Sequence, residues 1–310
     1  MRLGQRVVCL AMLVALPICG GSVVQAGPFE FHSDFWLNLH HFLYEQAQHP
    51  HETLTGPDKA AWDNALAFYR RSMISHDLLT DPHMQSIDTE LAEDETLPKL
   101  VVNGADGALW DTLNSVAAIY RAHWWDKHDQ ANRSFIASAV PLVQRYAPTL
   151  MKQLTTVYEA NWPKDLIRVD VSEYANWAGA YTYTYGWSRV HEIVSSSDAA
   201  DQGEAALEIV FHEATHGFVP DDSGRLAEAI AAAAKSTRVK VPKDLLHIFI
   251  FYTAGELTRR ALADNYIPYA DKKHLYQDEW ARWHSKIEIY WRQHLDGTLS
   301  LSEAVSKIVK

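Results

Sequence analysis

Leu207-Glu208-Ile209-Val210-Phe211-His212-Glu213-Ala214-Thr215-His216-Gly217-Phe218 sets an H-E-x-x-H motif inside an otherwise apolar run. On a helix, positions i and i+4 share a face one turn apart. Both imidazoles can then bind one small cation, while Glu213, displaced around the helix, reaches a water on it. A chain with 16 His and 39 acidic residues makes an accidental match less rare than usual. The surroundings argue against accident, because a surface helix would carry polar residues opposite the motif. This segment is apolar on nearly every side and reads as a buried helix, where imidazoles and carboxylates are costly unless they pair or coordinate metal.

The first residues read as a targeting segment. Arg2 and Arg6 supply a positive start, Val7 to Ile18 an apolar stretch, and Val24-Gln25-Ala26 a small-residue cleavage site, so a mature chain is expected to begin near Gly27 after export to the periplasm or outside the cell. The apolar stretch is too short for a membrane span, and no other segment is long enough to cross a bilayer. A lipid anchor at Cys19 is disfavoured by the bulky Ile18 before it. Cys9 and Cys19 are the only cysteines, so the expected mature chain has neither disulfide nor thiolate ligand and relies on a conventional core. A net charge of -11 without a basic run argues against nucleic acid or an anionic membrane surface as partner.

Residues 27–162 read as a helical scaffold. Ser33 can cap a helix carrying Phe35, Trp36, Leu39, Phe42 and Leu43, Pro57 can open another through Tyr69, and further helices are expected over 108–125 and 135–160, the last interrupted near Pro141 and Pro148. The paired His40 and His41, with His49 and His51, are expected on exposed helix ends. After Pro163 the period changes to two: 166–171, 180–185 and 190–195 are expected strands. A small sheet thus precedes the motif helix, which Asp198 or a neighbouring serine can cap and which Gly217 can end. Further helices follow over 224–237, 242–263, 275–294 and a short one capped at Ser300 or Ser302. The expected class is α+β, predominantly helical, with 163–310 forming the metal-binding region of one compact unit with 27–162.

A sheet, an HExxH helix and then a helix bearing a glutamate resemble the zincin metallopeptidases, and among them the gluzincins. The resemblance covers roughly residues 166–270, and only HExxH is specific. It implies a bound Zn2+ with His212 and His216 as ligands, Glu213 as the general base acting on a metal-activated water, and a downstream glutamate as third ligand. The metzincin extension HExxHxxGxxH is not met, since Val219 and Asp222 stand at its glycine and final histidine.

Glu256 and Glu228 compete for the third position, with Asp222 and His247 behind them. Glu256 is favoured because its helix is apolar nearly all round, and the neighbouring Gly255 suggests close approach of another backbone. The competing account of Glu256 is an ion pair with Arg259 or Arg260. His247, nine positions earlier, lies on nearly the opposite side, so it and Glu256 cannot both face one ion. Glu208, one turn before His212, can orient an imidazole or serve as an ordinary paired carboxylate. Tyr266 and Tyr269 are the candidate donors to a tetrahedral oxyanion, Tyr269 being preferred. Tyr181, Tyr183 and Tyr185 line one face of a strand that either borders the cleft or packs on the helical half.

The expected function is an exported zinc-dependent hydrolase of peptides or proteins. The contrasting expectation is a secreted binding protein whose tryptophans, among them Trp124-Trp125, Trp177, Trp187, Trp280 and Trp283, line a peptide or glycan groove around a structural metal site.

Overall fold

The computed structural model describes residues 23–184, 189–263, 265–278 and 280–310. In chain order the elements are β1 (Val24–Ala26), β2 (Phe29–His32), α1 (Phe35–Gln48), α2 (Lys59–Ser72), α3 (Pro82–Glu93), α4 (Gly107–Tyr120), α5 (Asp126–Tyr158), β3 (Ile167–Ser172), β4 (Ala180–Tyr183), β5 (His191–Ser195), α6 (Ala205–His216), α7 (Gly224–Thr237), α8 (Leu245–Leu262), α9 (Tyr269–Lys272), α10 (Ala281–Lys286), α11 (Arg292–Leu295) and α12 (Leu301–Ile308). The class is α+β and mostly helical. No helix among the described residues is long and apolar enough to cross a membrane.

The five strands form one sheet in the order β1-β2-β3-β5-β4. Strands β2, β3 and β5 run parallel, while β1 and β4 close the two edges antiparallel. Period-two alternation gives the sheet two faces. Ile167, Val169, Val171 and Val194 join Phe29 and Phe31 in a core shared with α5, α6 and α8, while Tyr181, Tyr183 and Ile193 belong to a second core built by α1–α4. The sheet is therefore the middle of three layers.

This arrangement corrects the helical reading of residues 27–162 in one respect: the N-terminal half is not purely helical but contributes β2, an interior strand beside β3, to the sheet. Strand β1 also falls inside the expected leader. It pairs with β2 through Val24↔Phe31 and Ala26↔Phe29, and Ala26 is buried, so a cut after Ala26 would strip this edge from the sheet. Residues 1–22 lie outside the described residues. Helix α1 is capped by Asp34, whose Oδ1 accepts from the Leu37 N–H at 2.7 Å, rather than by Ser33. Helix α5 continues through Pro141 and Pro148 for 33 residues. His40 and His41 are fully buried, not at an exposed helix end: His40 Nδ1 meets the Tyr69 hydroxyl at 2.7 Å, and His41 Nε2 lies 3.1 Å from Asp88 Oδ1. The helix-end expectation fits His49, which is exposed.

The motif helix α6 lies against β4 and β5 and packs along α8. Two glycines permit that closeness. A Cβ at Gly217 would sit 2.4 Å from Val190 Cγ2, and one at Gly255 of α8 would sit 3.2 Å from Glu208 Oε1 of α6 and 2.6 Å from Pro268 Cβ in the loop after α8. Gly217 has φ near -70° at the end of α6, so it serves close packing and not a left-handed turn.

Candidate metal centre

His212 and His216 stand one turn apart on α6, and the third member of the cluster is His247 from the first turn of α8. His212 Nε2 is 3.1 Å from His247 Nε2 and 3.3 Å from His216 Nε2. Nitrogens about 2.0–2.1 Å from one tetrahedral ion lie roughly 3.3–3.4 Å from each other, so this spacing suits a shared cation. Among the described residues no other group of three or more His, Cys, Asp or Glu converges in this way. Phe251, one turn after His247, forms the floor. Its ring lies 4.1 Å from that of His212 and 4.5 Å from that of His247.

Burial keeps these imidazoles neutral at neutral pH, the form that binds metal. His212 is held well below its ordinary value by burial and by its two histidine neighbours, while burial brings His216 down to about 4 and His247 to about 3. With each Nε2 free to coordinate, the proton of each ring sits on Nδ1. That of His212 is buried without a hydrogen-bond partner. The donor set is three neutral nitrogens on one side and an open cleft on the other, which suits a borderline divalent ion such as zinc with a vacant fourth position.

The cleft has a volume of ≈ 780 Å³ and is lined by the three histidines and Glu213, with Ile209, Phe251, Tyr269, Leu275 and Trp280 as its apolar wall. The edge strand β4 supplies Ala180, Tyr181 and Thr182 to the same lining. Glu213 is buried beside it. The Thr182 hydroxyl donates to Glu213 Oε2 at 2.8 Å and lies 3.0 Å from its carbonyl oxygen, which ties the carboxylate to the sheet. Burial pushes the Glu213 carboxyl up to about 7, with the Thr182 bond opposing.

Glu256 does not belong to this cluster. Arg259 holds it through Nε to Oε2 at 2.8 Å and Nη2 to Oε1 at 2.9 Å, and Arg260 adds Nε to Oε1 at 2.7 Å. The helical spacing requires this outcome: nine positions from His247 place Glu256 on the opposite side of α8. Glu228 is exposed and faces Arg225, and Asp222 is likewise exposed. Glu208 orients no imidazole. Fully buried, it accepts the Tyr266 hydroxyl at 2.7 Å and the Tyr269 N–H at 3.0 Å, and so fastens the loop after α8 to the motif helix. That loop presents the Tyr269 ring, parallel to Phe251, on the cleft wall, with its hydroxyl 3.4 Å from the Ala178 carbonyl.

Tyr181 and Tyr183 point away from α6 into the helical layer, bonded to Asp88 and His191, while Tyr185 lies outside the described residues. Asp198 caps no helix; its Oδ1 accepts from the Ala200 N–H and its side chain lines the cleft. Of the tryptophans, Trp124 and Trp283 are core, Trp177 and Trp280 line the cleft, and Trp187 lies outside the described residues. Thr182 had no sequence signal beyond its alternation within β4. Compared with protein-family models, with curated proteins and with solved structures, the chain gives no match.

Proposed function

We propose that the protein is an exported zinc-dependent hydrolase that cleaves peptide bonds in peptide or protein substrates. The observation that carries this reading is the convergence of three histidine Nε2 atoms on the wall of a cleft that also holds Glu213 and an edge strand. His212, His216 and His247 would hold the ion, with His247 in the place expected for Glu256. When bound, zinc supplies the Lewis acidity that makes water a nucleophile near neutral pH. Glu213, at the edge of the same cleft, would take up the proton of the attacking water on its carboxylate and return it to the departing amine. Thr182 fixes the carboxylate for both transfers. The outer backbone edge of β4, unpaired among the described residues, can pair with an extended substrate laid along the cleft, and Tyr269 stands on the wall as the candidate oxyanion donor. A sheet backed by the HExxH helix supports the likeness to zincins, the third ligand being the departure from gluzincins.

For export, a leader cut before Val24 keeps β1 in the sheet, and we place the cut there and not at Ala26. The competing reading, a non-catalytic binding protein, draws on Trp177 and Trp280 at the cleft. Digestion of a peptide library by the zinc-loaded wild type and by Glu213→Gln separates the two. The hydrolase reading expects cleavage by the wild type, a loss of turnover of about a hundredfold or more in the variant, and the same metal content in both. Bound zinc with no cleavage by either favours the binding protein.

A further inference from the structure

The wall that carries Glu213 continues into a corner formed by the segment before β4 and the loop after β5. Gly179, with φ of +87°, borders that corner. A Cβ there would meet Asp201 Oδ2 at 2.9 Å and Asp198 Oδ2 at 3.0 Å, so the two carboxylates converge against a backbone position where only glycine fits. Asp198 lines the cleft. Asp201 stands behind it, 1% exposed, and neither of its oxygens has a hydrogen-bond partner. A buried carboxyl without a partner is costly, and two side by side are relieved either by one retained proton or by a cation. Burial, reinforced by Asp198 and then Glu213, pushes Asp201 up to about 8.

The cation at hand does not meet this demand. Lys273 Nζ stays 3.5 Å from both Asp198 oxygens, is partly exposed, and acts on Asp201 only through space, without a hydrogen bond. One ammonium therefore faces two carboxylates, from the solvent side of a cleft whose remaining charged lining, Glu213, Asp221 and Asp244, is acidic.

We infer that the Asp198–Asp201 corner receives a primary ammonium group of the substrate, either its N-terminus or a lysine side chain, in competition with Lys273. This rests on the hydrolase reading only for the word substrate, since the site itself is defined by binding. An ammonium has three donors, enough to bond both carboxylates and the Ala178 or Gly179 backbone around them. A substrate seated there has its next bonds beside Glu213, so the corner selects peptides by a free amine close to the point of cleavage.

Calorimetric titration of the zinc-loaded Glu213→Gln chain, which binds without turnover, tests this with three tripeptide amides: Ala-Phe-Ala, N-acetyl-Ala-Phe-Ala and N-acetyl-Ala-Lys-Ala. A peptide whose amine enters the corner, the free-amine one or the acetylated lysine one, is expected to bind about tenfold or more tightly than N-acetyl-Ala-Phe-Ala. If the acetylated lysine peptide regains that affinity, the side chain is the source; if it does not, the N-terminus is. Adding Asp198→Asn should bring the preference below about threefold. Adding Lys273→Met should instead tighten binding of the amine by several-fold, a gain that misfolding cannot produce. Equal affinity for all three peptides, a preference that survives Asp198→Asn, or binding of none of them would overturn the inference. Preference without any hydrolysis by the wild type would instead count against the hydrolase reading alone.

Discussion

The Nε2 atoms of His212 and His247 lie 3.1 Å apart across the contact of α6 with α8, although 35 positions separate the residues in the chain. Two neutral imidazoles can bond face to face only if one gives up its Nε2 lone pair to a proton. Three converging Nε2 atoms cannot all be satisfied that way, whereas a cation satisfies all three at once. The same contact aligns Phe251 beneath both rings, so the packing of the two helices and the assembly of the centre are one event.

Thr182 is expected to act through Glu213. Thr182→Val keeps shape but removes the donor at 2.8 Å. Turnover should fall about tenfold, with KM and metal content unchanged. Thr182→Ser should restore most of the rate. Steady-state kinetics on one peptide decide it, and an unchanged kcat in the valine variant would show that Glu213 needs no such support.

Gly255→Ala should destabilise the fold by roughly 1–3 kcal/mol, because its methyl group would overlap Pro268 in a packed contact. Pro268 precedes Tyr269, so displacement should also loosen the loop that Glu208 fastens. Chemical denaturation measures the first effect. A variant as stable as the wild type would mean that the loop yields without cost.

Acid should destabilise the metal-free protein through histidines far from the centre. Burial lowers His128 to about 4 and His40 to about 3. Above pH 6.5 both are neutral, folded or unfolded. Below it the unfolded chain takes up protons that the fold refuses, so stability falls as pH drops from about 6.5 towards 4, by up to about 3 kcal/mol at His128. His128→Gln can still meet the Tyr120 hydroxyl, which the native ring contacts at 2.9 Å. Urea midpoints at pH 7 and pH 4.5 should therefore differ less in this variant than in the wild type. Equal differences would contradict the assignment.

Much of this was legible in the sequence. The HExxH run and its apolar flanks announced a buried helix with His212 and His216 one turn apart, and period-two stretches placed β3, β4 and β5 to within a few residues. Gly255 was readable as a point of close approach, although the neighbour is the Pro268 ring and not bare backbone. Strand β2 was hidden because four residues, Phe29–His32, are too few to show alternation, and a parallel partner more than 130 positions away leaves no local trace. His247 ranked behind Glu256 because a carboxylate in an apolar helix looks more needful of a metal than an imidazole does. The decisive signal was the local Arg259-Arg260 pair, which meets Glu256 at i+3 and i+4 and frees the opposite face of α8 for His247.

In the proposed centre His212, His216 and His247 hold the ion and Glu256 does not. Elemental analysis of purified wild type, His247→Ala and Glu256→Gln separates the two candidate third ligands. About one zinc per chain is expected in the wild type and in Glu256→Gln, and a loss of at least about tenfold in zinc affinity in His247→Ala, measured by competition with a chelator. Full zinc affinity in His247→Ala, or its loss in Glu256→Gln, would rule out His247 as the third ligand.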